Sequence, residues 1–253
     1  MGPKRTSTTV GRQPADSIAR DSHRSAGQAS WRSALDLVAT LAMLFVAGGI
    51  VWNWYRPFNA ALARPTVSVP TKPVSLDGVP LLGDPGAKAA VLIFSDFQCP
   101  YCGRFANETM PALREQYVDR GLVRLGFRHL PLPIHNRAAR AAESAECAAE
   151  QGQFWAMHDA LFRNPSRLEE VDLTSDAAGI GLDRNAFRTC MDRPPSDRVK
   201  RDIESAQDLG LRGTPSFVLG RLEGGALHAT TVFVGAQPFD VFERTLNGLL
   251  SAR

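Results

Sequence analysis

Cysteine is scarce in this chain, with four residues among 253. Cys99 and Cys102 stand two residues apart, while Cys147 and Cys190 are isolated and form no second Cys-x-x-Cys. A structural zinc site needs four ligands, so a pair of zinc knuckles has nothing to be built from. An excess of either charge is also lacking: 29 Lys and Arg stand against 26 Asp and Glu, a formal net charge of +3. Its distribution is uneven. Residues 1–33 hold six Lys/Arg against two Asp/Glu, residues 34–72 add a net +2, and residues 73–253 are left at −3. A mildly acidic domain carries no nucleic-acid footprint. No internal repeat is evident, which excludes a stacked-repeat architecture. Long apolar runs are absent with one exception, near the N-terminus. Hydrophobic residues still make up 44% of the chain and charged residues 22%, enough apolar material for one good-sized globular domain with extensions.

The first 33 residues are rich in Ser, Thr, Arg, Gly and Pro and poor in apolar side chains. They cannot bury enough surface to offset their conformational entropy, and residues 1–33 are expected to be a disordered cytoplasmic tail. Leu37 to Trp52 is the long apolar run, interrupted only by Thr40. Taken from Ala34 to Tyr55 it has about the length of a membrane span. Asp36 and Asn53 fall near the two interfaces, and Trp31, Trp52, Trp54 and Tyr55 bracket the run as interfacial aromatics do. Arg12, Arg20, Arg24 and Arg32 precede it, so the positive-inside rule sends the remainder of the chain across the membrane. Residues 34–55 are therefore read as one transmembrane anchor. A signal peptide cleaved at the A-x-A-like Ala61-Leu62-Ala63 and a buried core helix are the competing readings, the latter disfavoured because the run is apolar on all faces. Pro57, Pro65, Pro70 and Pro73 make residues 56–73 a semi-extended linker. The folded domain is expected over residues 74–253.

Ala90 to Phe94 reads as a buried strand ending in Ser95-Asp96, and Phe105, Met110 and Leu113 mark a helix after the two cysteines. The Cys-x-x-Cys thus sits at a strand-to-helix junction. Residues i and i+3 share a helix face, so the two sulfurs meet with little backbone movement. With Cys99 at the N-cap, Pro100 occupies the first helical position, where its missing N–H costs nothing. The free N–H groups and the helix dipole then favour thiolate on Cys99. Cys102, one turn in, is suited to resolve a mixed disulfide. Half a zinc site and a purely structural bridge remain as alternatives, although a bridge closing so short a loop removes little chain entropy.

The helix is expected to run to about Asp119 with a kink at Pro111. Leu122 to Arg128 alternates as a second strand, so a right-handed parallel βαβ unit is expected. Asn136 to about Asp192 reads as helical, with Asp183 capping a short helix and Ser196 capping another that ends at Gly210. Sheet returns after Gly213-Thr214-Pro215 as Ser216 to Leu219, a Gly-rich turn over Arg221 to Ala226, and Ala229 to Val234. Pro238 to Leu250 is a closing helix.

That order, with Phe94-Ser95-Asp96-Phe97-Gln98-Cys99-Pro100-Tyr101-Cys102, Phe127-Arg128-His129-Leu130-Pro131, Gln151 to Phe162 and Gly213-Thr214-Pro215-Ser216-Phe217, resembles the DsbA-like branch of the thioredoxin-fold thiol-disulfide oxidoreductases. The resemblance covers about residues 75–250. It implies an α/β thioredoxin fold (βαβ … ββα) with a helical insertion at about 136–210 between the two halves, here preceded by the transmembrane helix. It implies that Cys99 and Cys102 are the catalytic pair and that Pro215 is cis and lies against them. Thr214, Pro215, Pro100 and Tyr101 would then contact an extended substrate peptide. Tyr101 replaces the histidine of the best-known DsbA oxidases and cannot stabilise the thiolate by charge. Related proteins carry a second disulfide in the insertion, which would pair Cys147 with Cys190; two buried thiols acting as small hydrophobes are the alternative.

Asp96 as a strand-end turn residue and Glu108 as a solvated helix residue are favoured over proton-transfer roles. His129, His135 and His158 follow no ligand spacing and are expected in capping or surface positions. The resemblance implies a membrane-anchored, extracytoplasmic enzyme that oxidises cysteine pairs in exported proteins, with no cofactor, no metal and no nucleic-acid partner. A membrane reoxidase of the DsbB or vitamin-K-epoxide-reductase type would be its partner. Reductase or isomerase action on the same fold, or a thiol metal-binding module of copper-chaperone type, are the alternatives. Residues 1–75 offer no dimerisation domain of the kind such isomerases carry.

Overall fold

The structure, a computed structural model, describes residues 37–50 and 67–251. The expected tail, both ends of the expected anchor and most of the linker lie outside the described residues. The chain divides into two units, Met1–Pro65 and Thr66–Arg253. In the first, residues 37–50 form a helix (α1) whose side chains are all exposed. Among the described residues no helix is long and apolar enough to cross a membrane.

The second unit is built on β3 (Ala89–Ser95), buried along its whole length. Odd positions Ala89, Val91 and Ile93 feed one core with Phe105, Leu113, Phe217 and Phe242. Even positions Ala90, Leu92 and Phe94 feed another with Val218, Ala206 and Leu211. Both faces are covered, so the strand is a continuous apolar run rather than an alternating one. β3 pairs in parallel with β4 (Val123–His129) and antiparallel with β5 (Ser216–Glu223). β6 (Ala226–Val234), β1 (Val74–Ser75) and β2 (Leu81–Leu82) complete a six-stranded sheet of order β1-β6-β5-β3-β4-β2. The two-residue strands β1 and β2 were not expected from the sequence.

The helix after the cysteines, α2, spans residues 100–118. It alternates α segments (Pro100–Arg104, Met110–Leu113) with wide π turns (Phe105–Thr109, Arg114–Val118). Met110 N–H reaches back five residues to Phe105 O. Pro111 has no N–H to offer Asn107 O, and the wide turn just before it absorbs that missing bond. The helical insertion comprises α3 (Ala138–Ala149), α4 (Phe154–Arg163), α5 (Glu170–Gly179), α6 (Arg184–Met191) and α7 (Asp197–Asp208). Asp183 accepts from Ala186 N at 2.7 Å and Ser196 Oγ from Arg198 N at 3.1 Å, each capping the helix it precedes. The Cys147–Cys190 disulfide ties α3 to α6. α8 (Phe239–Ser251) closes the fold over Phe105 and Phe217.

The expected Gly-rich turn is shorter than its sequence suggests. Glu223 pairs with Ala226, which leaves only Gly224-Gly225, both at positive φ, to make the hairpin. At the bulge between Leu219 and Gly220, a Cβ on Gly220 would sit 2.0 Å from His228 O, so the position admits only glycine.

Candidate active site

β3 ends at Ser95, and a tight turn delivers the first cysteine: Cys99 N–H donates to Asp96 O at 3.1 Å. Cys99 is the N-cap of α2 with an extended backbone, and Pro100 is the first helical residue. Both sulfur side chains are covered, with Cys99 3% exposed and Cys102 fully buried. The two are free thiols.

The pair is electrically asymmetric. The Cys99 pKa falls from the ordinary value of 9.0 to about 5. The largest cause is a hydrogen bond from the Cys102 thiol. Burial opposes it, while the Thr214 side chain and the N–H groups of Cys102 and Tyr101 at the helix start add to it. Cys102 moves the other way. Burial raises it first, then the hydrogen bond and the charge of its neighbour, with Ser95 opposing. One sulfur is thus a thiolate near neutral pH and the other a thiol that donates to it.

The opposite wall is the Thr214–Pro215 peptide, which is cis. In the thiol form Cys99 Sγ donates to Thr214 O at 3.5 Å. Thr214 Oγ1 is buried and, beside the Cys99 thiol, has no hydrogen-bond partner; against the thiolate its hydroxyl turns donor to the sulfur, which lowers the pKa. Tyr101 points outward, 57% exposed, with the Arg104 guanidinium 5.3 Å from its ring centre. Thr214, Pro215, Pro100 and Tyr101 therefore surround Cys99, whereas Cys147 and Cys190 are bonded to each other in the insertion.

Beneath the cysteines the sheet and the insertion share one core. Phe97 stacks on Phe127 at 5.2 Å and meets Phe162 at 4.8 Å. His129 and His158 join this cluster, both buried, which corrects the capping or surface positions expected for them. His129 Nε2 lies 2.9 Å from Glu146 Oε1, and His158 Nδ1 lies 2.8 Å from Asp159 Oδ1. Burial holds the His158 pKa below its ordinary value, so this ring is neutral. Glu108 is exposed. Among the described residues no group of three or more His, Cys, Asp or Glu is arranged to hold a metal ion.

The sequence reading missed the wider role of Asp96. Its buried carboxylate accepts from Gln98 N, Leu132 N and His135 Nδ1, each at 2.8 Å. It thereby fastens the loop after β4 to the loop that delivers Cys99. It also missed Asp202, fully buried, which accepts from Arg128 Nη1 at 2.7 Å and His129 N at 3.0 Å. A polar residue directly after a buried strand was the available signal for Asp96; nothing in the α7 sequence singles out Asp202.

Residues 76–224 match the Thioredoxin_4 family, described as thioredoxin. Among curated proteins the chain is 42% identical over 156 residues to the Na(+)/H(+) antiporter NhaA 3 of Salinispora tropica, covering 60% of this chain and 23% of that protein. It is 35% identical over 200 residues to the Na(+)/H(+) antiporter NhaA of Herminiimonas arsenicoxydans, covering 77% and 31%. The matched stretch thus spans less than a third of these curated relatives. Among solved structures, BdbD from Bacillus subtilis superposes with a TM-score of 0.63 at 21% identity, covering 73% of this chain and all of that one. Wolbachia pipientis alpha-DsbA1 gives 0.60 at 24% identity, covering 70% and 93%. A thioredoxin-like oxidoreductase from Silicibacter pomeroyi gives 0.55 at 29% identity, covering 69% and 94%. With more than half of its length matching this family model, the chain belongs to the thioredoxin family.

Proposed function

We propose that this domain oxidises cysteine pairs in exported proteins on the extracytoplasmic side of a membrane, using a Cys99–Cys102 disulfide. The observation that carries the reading is the split between a Cys99 pKa of about 5 and a raised Cys102. A thiolate that is stable when reduced makes the disulfide form eager to accept electrons. A client thiolate attacks Cys99 Sγ, a client–Cys99 bond forms, and the Cys99–Cys102 bond breaks with its electron pair on Cys102, which takes a proton. A second client thiolate then attacks the client sulfur and releases Cys99 as thiolate. The client has lost two electrons and two protons overall. Thr214 and Pro215 receive the client backbone, and Pro100 and Tyr101 border it. Residues 34–55 anchor the domain, residues 56–73 let it reach, and a membrane reoxidase of the DsbB or vitamin-K-epoxide-reductase type restores the disulfide.

The curated relatives favour a second reading. Their name is that of a Na(+)/H(+) antiporter, and this chain matches under a third of them. On that reading the domain is a thiol-exchange module working beside a membrane transporter. The deciding experiment is the reduction potential of the full chain in detergent against a glutathione series, together with the thiolate titration by ultraviolet absorbance. An oxidising potential with a depressed Cys99 pKa supports the oxidase. A reducing, thioredoxin-like potential with a near-neutral pKa overturns it in favour of a reductase.

A further inference from the structure

Ile134 is 82% exposed. Single exposed apolar side chains are ordinary on protein surfaces, so exposure alone carries nothing. Its place in the chain adds three observations. His135 N–H donates to Leu132 O at 2.9 Å, which makes Leu132-Pro133-Ile134-His135 a β-turn with Pro133 second and Ile134 third. Turn corners favour Gly, Asn, Asp and Ser, which bond locally or relax the backbone. A β-branched isoleucine gains nothing there, and a broken local preference points to function.

The turn is also held in place. Leu132 N and His135 Nδ1 both lie 2.8 Å from Asp96 Oδ2. Gln98 Nε2 donates to Asn136 Oδ1 at 3.2 Å, and Arg137 N donates to Gln98 Oε1 at 2.7 Å. Asp96 and Gln98 are the residues that lead into Cys99, so four hydrogen bonds fix the turn to the nucleophile's own loop. Pro131 and Pro133 stiffen it further. Finally, Leu130 and Leu132 pack into the core, while Ile134, next in the same spacing, is left uncovered. The side-chain carbonyl and amide of Gln98 are both engaged in this clamp.

We propose that Ile134 is a specificity-determining contact for the client polypeptide, taking up an apolar side chain that flanks the client cysteine. The inference rests on the thiol-exchange reading of Cys99. A residue one or two places from the client cysteine lies within about 7 Å of it along an extended chain, and the turn is hydrogen-bonded to Asp96 and Gln98, three residues and one residue before Cys99. Ile134 makes and breaks no bond. It favours the encounter that precedes attack on Cys99.

The test uses the oxidised full chain in detergent and two cysteine peptides, one flanked by leucine and one by serine. Rates of mixed-disulfide formation are compared within each protein variant. The wild type should take the leucine peptide about tenfold faster, the scale of a partly buried leucine side chain. Ile134→Ser should bring that ratio close to one, and Ile134→Leu should restore it. A ratio unchanged in Ile134→Ser, or one near unity in the wild type, overturns the proposal. Dithiothreitol has no flank and checks the underlying reading. If the wild type exchanges with dithiothreitol and only the peptide result fails, this inference alone is lost. If it does not exchange at all, the thiol-exchange reading falls and takes the inference with it.

Discussion

Replacing Thr214 by valine keeps the β-branched shape and the backbone carbonyl but removes the buried hydroxyl beside the Cys99 sulfur. Near pH 7 a thiol of ordinary pKa 9.0 is protonated, whereas one lowered to about 5 is ionised. Because the folded value lies below the unfolded one, the stabilisation of the dithiol form is complete above the ordinary pKa. It shrinks as the pH falls and vanishes below about 5. Midway it amounts to roughly 2–3 kcal/mol, on the order of 60 mV in a two-electron potential. A hydrogen bond to a charged group contributes about 1.5–3 kcal/mol. Valine should therefore raise the Cys99 pKa to about 6–7 and make the potential about 30–50 mV more reducing near pH 7. The assay is the potential as a function of pH. The dithiol holds two protons below the Cys99 pKa and one above it. The potential thus falls by roughly 59 mV per pH unit below that point and about half as steeply above it. The break should move upward by about one pH unit or more in Thr214→Val. A break at the same pH in both proteins refutes the argument, because the hydroxyl would then have no part in holding the thiolate.

Two further outcomes follow from the scaffold. Replacing both Cys147 and Cys190 by alanine opens a bridge between residues 43 apart; chain entropy puts its contribution at about 4 kcal/mol, which lowers Tm by about 8–16 °C. A calorimetric Tm within a degree or two of the wild type would show that the bridge constrains little. Asp202→Ala removes the carboxylate that neutralises Arg128, whose side chain is 8% exposed beside a fully buried partner, and leaves its Nη2 bond to Ser75 O at 2.6 Å; the uncompensated charge should cost about 3–5 kcal/mol in denaturant unfolding. A loss under about 1 kcal/mol would mean that water or another group satisfies the guanidinium.

The elements legible in the sequence are those whose signals are local. β3 reads as a strand because an unbroken apolar run is bounded by Lys88 and by Ser95-Asp96, and β4 because its residues alternate. The caps Asp183 and Ser196 sit where side-chain oxygens meet free N–H groups, and both are found bonded there. β1 and β2 carry no such signal. Each is two residues long and exists because it meets Leu227 and Ala226, or Gly126 and Leu125, far along the chain. Pro111 was legible as a helix perturbation, but not as one resolved by a wide turn. That outcome depends on which carbonyl the rest of the helix leaves free.

The site divides along the same line. The Cys-x-x-Cys spacing and the proline at the helix start announce the nucleophile, since they act within one turn of chain. The burial of His129 and the carboxylates of Asp96, Asp202 and Glu146 are tertiary facts. They converge from the active-site loop, α7 and α3 on the end of β4 and the loop after it. Asp96 alone carries a local signal, as the polar residue that ends a buried strand and caps its own turn through Gln98 N; the others have no near neighbour in sequence that would reveal them. Their convergence separates two jobs. The thiolate is set by the start of α2 and by Thr214, while the turn bearing Ile134 is fixed by Asp96 and Gln98 and continues a strand end that Asp202 and Glu146 hold. Changes at Thr214 should thus move the titration of Cys99, and changes at Ile134 the choice of client. The two sets meet in the stretch from Ser95 to Cys99, and a substitution at Asp96 is expected to disturb both.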